Sequence, residues 1–383
     1  MLNEEIEKFI HQEQNTSIAE LSLKLSKKGH LPKEFIINQI NGRQKVKKKF
    51  PFLYRFNDYI FPSPRAFAQA SSEQTAIYKA TLVNGKTMAD LSGGMGIDSY
   101  FFSRNVTQLH YIEKDSELCE LNRKNFERLN ATNITVHNLS AEDFLNSNEK
   151  FEIIYIDPDR RNKSERLFKI EDCSPNILEL LPLLLEKSNQ LIIKLSPLLD
   201  IKLAIQQLKS VESVHIISID NDCKELVFKT NTNKPESSSI HCVNFTKIRK
   251  EIFTFSFTQE EESSISYSKA QNYLYEPNAS ILKAGAFKSI AKDFNLNKLA
   301  PNTHLYTSEK LVENFPGRTL KVNEVSAPKK IKNINANVIS KNFPLKVDEI
   351  RKKYKIKEGK ENFLYACSLF DESKVFILAE RCD

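Results

Sequence analysis

The chain's 383 residues exceed what a single hydrophobic core organises, so two or three domains are expected. A hydrophobic fraction of 40% with 27% charged residues excludes a disordered chain. No apolar run nears the roughly 20 residues that span a bilayer, MLNEEIEKFIHQEQ lacks the order of a signal peptide, and six cysteines without a C-x-x-C pair fit neither a disulfide framework nor a zinc finger, so a cytoplasmic protein with reduced thiols, no membrane partner and no metal is expected.

Residues 1–80 read as a helical region. Phe9, Ile10, Ile18, Leu21, Leu23 and Leu25, then Phe35, Ile36, Ile37 and Ile40, form short amphipathic patches without strand alternation. A basic run from Arg43 to Lys49 leads into FPFLYRFNDYIFPSPR, where Pro51, Pro62 and Pro64 break regular structure. ASSEQTAIYKA then restarts a helix with Ser71 or Ser72 as its N-cap.

Residues 81–232 change pattern. The apolar runs TMADLS, QLHYIE, ITVHN, FEIIYID and QLIIKLS alternate with helical stretches, an order that predicts a parallel sheet covered by helices. VHIISI and ELVFKT, around the turn DNDCK, read as an antiparallel pair closing that sheet. After the polar linker TNTNKPESSS, residues 233–326 form an α+β module: FTFSFT and SISYS as strands, ASILKAGAFKSIAKDF as one helix, then HLYTS and RTLKVNEV. Residues 327–383 form a second one, with strands NANVIS, FLYACSLF and KVFILAE around the helix LKVDEIRKKYKI.

Charge concentrates at this end. From Ile281 to Asp383 there are 20 Lys/Arg against 12 Asp/Glu, so this stretch carries +8 against +7 for the whole chain and the remainder is nearly neutral. Arg351, Lys352, Lys353, Lys355 and Lys357, with Tyr354 among them, follow the apolar Leu345, Val347 and Ile350. That pattern suits a helix that buries one face and offers the other to phosphates, or a solvated lysine-rich surface.

The chemistry is concentrated where the first and fourth of the apolar runs end. Asp90-Leu91-Ser92-Gly93-Gly94-Met95-Gly96-Ile97-Asp98 leaves a strand and enters a helix, a corner where glycines let the backbone approach a ligand and the helix start adds donors. A dinucleotide fingerprint beginning at Gly94 would need Gly or Ala at position 99, which is Ser99. Glu113 ends the next strand, 113 − 90 = 23 residues after Asp90, where a ribose diol would lie. The fourth run ends in Asp157-Pro158-Asp159-Arg160-Arg161, either a strand-to-loop corner or an acceptor site. No H-E-x-x-H, G-x-S-x-G or P-loop sequence offers a rival, and His137 reads as a strand-end residue.

DLSGGMG resembles the first motif of the class I methyltransferases that use S-adenosylmethionine (SAM), with Ser92 in place of a glycine. The resemblance implies that Asp90, Ser92, Gly93, Gly94 and Gly96 line the cofactor, that Glu113 holds its ribose, and that Asp143 takes the adenine contact, since Ser140 stands where an aspartate is common. IIYIDPDRR resembles the (Asn/Asp)-Pro-Pro-(Tyr/Phe) motif of enzymes that methylate exocyclic base amines. Asp157 and Pro158 match; Asp159 and Arg160 do not, and Arg160 or Arg161 would replace the missing aromatic by stacking on a base or gripping a phosphate. Lys194 in IIKLSPLLD falls on the same sheet edge. CKELVF, YLYEPNASILKAG and the basic C-terminal module make the whole chain similar to a bacterial group of methyltransferases with a ferredoxin-like and then a THUMP-like domain. The implied fold is α/β: a Rossmann-like class I methyltransferase sheet with a helical N-terminal region and two small α+β modules. The implied activity is SAM-dependent methylation of a base in structured RNA, tRNA or rRNA. A catalytically silent RNA-binding scaffold and a small-molecule methyltransferase are the alternatives.

Overall fold

A computed structural model describes residues 4–160, 169–231 and 237–382. The chain divides into two compact units, Met1–Ser210 with Lys229–Asn233, and Val211–Phe228 with Lys234–Asp383.

The first unit begins with α1 (Glu4–Glu13), α2 (Ile18–Ser26), α3 (Lys33–Lys49), α4 (Pro64–Gln69) and α5 (Glu73–Ala80). The first three pack Ile6, Phe9, Ile10, Leu21, Leu25, Ile36 and Ile40 into one buried cluster, as their apolar spacing requires. The proline-rich segment that follows makes one short turn of 3-10 helix over Pro51–Arg55, and two buried amides bond the backbone beyond it. Gln39 bonds both the N–H and the C=O of Phe61 (2.8 and 2.9 Å), and Asn125 does the same for Ile60 (2.9 and 2.8 Å). Ser72 is the N-cap of α5, accepting from the Thr75 N–H at 3.3 Å, while Ser71 turns its hydroxyl elsewhere.

The chain then runs β1 (Gly85–Asp90), α6 (Ile97–Phe102), β2 (Val106–Glu113), α7 (Ser116–Arg128), β3 (Ile134–Asn138), α8 (Ala141–Leu145), β4 (Phe151–Ile156), the short pair β5 (Asp159–Arg160) and β6 (Cys173–Ser174), α9 (Ile177–Lys187), β7 (Ser188–Leu195) and α10 (Ile201–Leu208). Five strands form parallel pairs in the order β7-β4-β1-β2-β3. Only Glu152 in β4 is not buried, the near-continuous apolar run of a parallel strand covered on both faces. The strand order reverses between β1 and β4. A crevice at the carboxyl ends of those two strands is where such sheets take ligands.

The second unit opens with β8 (Val211–Ile219), β9 (Asp222–Asn231), β10 (Ser239–Phe245) and β11 (Lys250–Ser256), in the order β11-β10-β8-β9. β10 escaped the sequence reading because SSSIHCVNF breaks its apolar run with His241 and Asn244, yet it pairs along its whole length with β8 in parallel and β11 in antiparallel. After α11 (Phe257–Glu262) come β12 (Tyr273–Pro277), α12 (Ala279–Ala284), α13 (Ser289–Asp293), β13 (Asn297–Ala300), β14 (Thr303–Ser308), β15 (Gly317–Ser326), β16 (Asn337–Lys341), α14 (Val347–Tyr354), β17 (Asn362–Ser368) and β18 (Lys374–Arg381). Two expectations need correction. SISYS is no strand, for it offers only the single bridge of Tyr267 to Lys298. ASILKAGAFKSIAKDF is two helices, because Gly285 turns left-handed (φ +76°) and closes α12 with its N–H on Ile281 O at 3.1 Å.

Both predicted α+β modules share one sheet, β13-β14-β12-β15-β18-β17-β16. Alternation along β17 feeds two cores: Phe363, Tyr365 and Cys367 join Leu274, Leu305 and Leu320, whereas Leu364 and Ala366 join Ile350, Tyr354 and Phe376. Part of the C-terminal positive charge is spent inside this unit, where Arg318 and Lys341 flank Glu276 at 2.7 and 2.8 Å. No helix among the described residues is long and apolar enough to cross a membrane.

Candidate active site

The corner after β1 is built around a buried acid. Asp90 is 1% exposed, and its carboxylate accepts from the Ser92 N–H (3.0 Å), the Ser92 hydroxyl (3.1 Å) and the Ser99 hydroxyl (2.5 Å). Burial pushes its pKa up to about 7, with the Ser99 and Ser92 bonds opposing the rise. Every oxygen is thus engaged by the corner itself. Asp90 shapes the loop from within.

Gly94 and Gly96 have φ of +52° and +75°, a region that other residues enter at a cost. A side chain at Gly96 would strike the Phe126 ring at 2.7 Å, and one at Gly93 the Tyr111 ring at 2.3 Å, so the loop lies tight on β2 and α7. At Gly94 a Cβ would meet nothing nearer than Ser92 O at 3.7 Å. The loop is therefore closed behind and open in front. Tyr111 and Asn122 both donate to the Gly94 carbonyl (2.7 and 2.8 Å) and fix it from below.

Glu113 ends β2 beside this opening. Its Oε2 accepts the Gly94 N–H and its Oε1 the Asp115 N–H, both at 2.9 Å. Each oxygen keeps a second lone pair for a diol. Asp143 lies in the first turn of α8, exposed, with its carboxylate receiving the hydroxyl of the N-cap Ser140 at 2.7 Å.

Across the strand-order reversal, Asp157 ends β4. Its backbone N–H donates to Ser92 Oγ at 2.7 Å, the same hydroxyl that donates to Asp90. Its Oδ2 is bonded and ion-paired to Lys194 at the end of β7. Burial raises the Asp157 pKa, while Lys194 and then Lys79 hold it back. Pro158 follows, half-buried; Asp159 is exposed and accepts from Gln69 at the end of α4 (3.1 Å). The backbone of Arg160 pairs with Cys173 in the β5–β6 ribbon. The Arg160 side chain and Arg161 lie outside the described residues.

A second acidic group sits beneath the corner. Asp98 Oδ2 receives Lys79 Nζ (2.8 Å), the Ser71 hydroxyl (2.8 Å) and the Tyr155 hydroxyl (2.9 Å), and Lys79 is fully buried. Lys79 and Lys194 overcome the effect of burial and hold the Asp98 carboxyl below its ordinary pKa. Its Oδ1 is buried with no partner among the described residues. This cluster was not foreseen: Asp98 closes the glycine corner in sequence, but Lys79 comes to it from α5, Ser71 from just before that helix and Tyr155 from β4. His137 stacks on His110 and faces neither acid in the site.

Three family models match the chain: "Conserved hypothetical protein 95" over residues 76–174, "ferredoxin-like domain" over 273–316 and "THUMP domain-like" over 317–381. The crystal structure of a "putative methyltransferase" from Porphyromonas gingivalis W83 superposes with a TM-score of 0.88 at 29% identity, covering 100% of both chains. M. capricolum TrmK in complex with S-adenosyl-homocysteine matches at 16% identity and a TM-score of 0.33, over 45% of this chain and 70% of that one. An rRNA methylase from Streptococcus thermophilus matches at 13% identity and 0.31, over 41% and 94%. A comparison with curated proteins found no match.

Proposed function

Starting from a class I methyltransferase fold that carries ferredoxin-like and THUMP-like domains, we propose that this chain is a cytoplasmic, SAM-dependent methyltransferase of a base in structured RNA, tRNA or rRNA. The observation that carries the reading is the Ser92 hydroxyl. It donates to Asp90 under the glycine corner and accepts the N–H of Asp157, so the cofactor corner and the acceptor loop are one hydrogen-bonded unit.

The residues present suit SAM. Glu113 offers carboxylate lone pairs to the ribose hydroxyls, Gly94 opens onto free space, and Asp98 Oδ1 is an unused acceptor for the cofactor's ammonium group. Ser92, Gly93 and Gly96 hold the loop in place, with Asp90 anchoring it, and Asp143 is the candidate adenine contact. When bound, SAM supplies a methyl group already activated on a sulfonium. The protein's remaining task is orientation. Asp157, with one oxygen on Lys194 and the other left to receive an amine N–H, sets the acceptor's direction, and Pro158 gives it a rigid flank. Arg160 and Arg161 would grip the base or its phosphate. No metal enters this scheme.

The C-terminal modules would position the RNA. Lys352, Lys353, Lys355 and Lys357 are exposed at the end of α14 while Ile350 and Tyr354 are buried, so charge and core divide between faces. In this reading residues 1–80, 81–232, 233–326 and 327–383 are the helical, catalytic, ferredoxin-like and THUMP-like segments.

The test is tritium transfer from labelled SAM to bacterial RNA lacking this protein's own modification. Wild type should label it; Asp157→Ala should lose about a hundredfold in rate with SAM binding retained, and Glu113→Gln should weaken SAM about tenfold. SAM binding without label in any RNA would overturn the RNA assignment and leave a silent scaffold or a small-molecule enzyme.

A further inference from the structure

The helical N-terminal region holds a cavity of about 220 Å³ between α3 and the start of α4, lined among others by Asn38, Asn41, Lys45, Lys49, Pro62 and Phe67. Pro62, Pro64 and Phe67 line it from the α4 side, and Asn38, Asn41, Lys45 and Lys49 from α3. Among the described residues the side chains of Asn38, Asn41 and Lys45 make no hydrogen bond or ion pair. The volume is below the roughly 300–1,000 Å³ of pockets that enclose a drug-sized ligand, a space for one flat ring system.

Charge leads from the cavity in both directions. Lys45, Lys47 and Lys48 are exposed along the last turns of α3, and Lys47 lies over the Tyr54 ring at 4.3 Å. Toward the active site, Lys49 donates to the Phe67 and Ala68 carbonyls (2.7 and 2.8 Å), and Gln69, next in the chain, bonds Asp159 of the acceptor loop (3.1 Å). Burial and then repulsion by Lys194 lower the Lys49 pKa to about 8. Lysines at the end of α3 would also favour the helix dipole. That accounts for the charge but not for the unpaired amides around a cavity.

We infer that this cavity holds an unpaired base of the RNA close to the one that is methylated, with its ring against Phe67 and Pro62, its edge on Asn38 and Asn41, and its phosphate on Lys45. The inference rests on the RNA reading above. It makes the N-terminal helices a substrate-binding element of the catalytic unit, separate from the basic C-terminal helix α14.

The experiment measures binding of the full-length protein to a fluorescein-labelled, unstructured single-stranded RNA about a dozen nucleotides long, across a salt series. Lys45→Glu should weaken binding at least tenfold and make the slope of log K against log salt shallower by about 0.7, one phosphate contact on a single strand. Asn41→Leu, which removes the amide edge at nearly constant size and charge, should weaken binding about fivefold with the slope unchanged. SAM affinity, read by calorimetry, should stay at the wild-type value in both, which also shows that the catalytic unit is folded. Wild-type RNA affinity in both variants would overturn the cavity assignment alone. Loss in Lys45→Glu but not in Asn41→Leu would reduce it to a surface phosphate contact and overturn the base site. Failure of the wild type to bind this RNA would overturn the cavity assignment and leave the structured-RNA reading standing, whereas failure to methylate any RNA would overturn the RNA reading itself, and the cavity assignment with it.

Discussion

Ser92 Oγ accepts the backbone N–H of Asp157 at 2.7 Å, tying the end of β1 to the end of β4 across the point where the strand order reverses. The first glycine of the methyltransferase motif would have no group to make this bond. A departure from the pattern is therefore itself a structural element.

Ser92→Ala leaves the Asp157 N–H and Asp90 each short of a partner, so stability should fall by about 1–3 kcal/mol. Methyl transfer should fall about tenfold, because the acceptor loop is no longer held against the corner. Chemical denaturation and single-turnover labelling read the two effects. A variant with wild-type rate and stability would show that the bond is not needed.

Lys194 controls when Asp157 is charged. The Asp157 pKa is raised by burial and drawn back by Lys194, so Lys194→Met should raise it further. An acceptor role needs the carboxylate, and the acid limb of the kcat/KM profile should then move to higher pH, with Lys194→Arg restoring most of the original profile. An acid limb that does not move would exclude Asp157 as the titrating group.

The buried pair of Lys79 and Asp98 is a stability element. Removing the cation in Lys79→Met strands a carboxylate, which should cost about 3–5 kcal/mol, and adding Asp98→Asn should recover part of it. Because the Asp98 pKa is depressed on folding, its contribution is present above the ordinary carboxylate range and lost as pH falls through the folded value. Wild-type stability should therefore drop on acidification more than that of the double variant. Equal acid sensitivity in urea titrations would sink this assignment.

The second unit should not tolerate loss of its last segment. β15 pairs with β18 from Leu320 to Ser326, and the THUMP-like strands complete the sheet that β12–β14 begin. Deleting Ala327–Asp383 would bare one edge of β15 and unroof the core around Leu320, giving aggregation or a lost unfolding transition by calorimetry. A soluble, cooperatively folding truncation would show two independent modules.

The order of elements was legible in the sequence because local patterns encode it: apolar runs at the lengths of parallel strands, Ser71 or Ser72 at a helix start, glycines at the corner after β1. So were the acids at the ends of the strands, since a strand's last residue is read from its pattern alone. Gly285 and β10 were misread or missed where a left-handed residue or a polar interruption outweighed periodicity. What each acid does was decided only by tertiary structure. Asp90 is sealed by Ser99 nine residues on, Asp98 meets a lysine from α5, Asp157 meets Lys194 from β7, and Ser92 reaches Asp157. The physical reason is range: backbone preference acts over a few residues, whereas burial and charge pairing act through space, and only the folded sheet brings these groups within reach of one another.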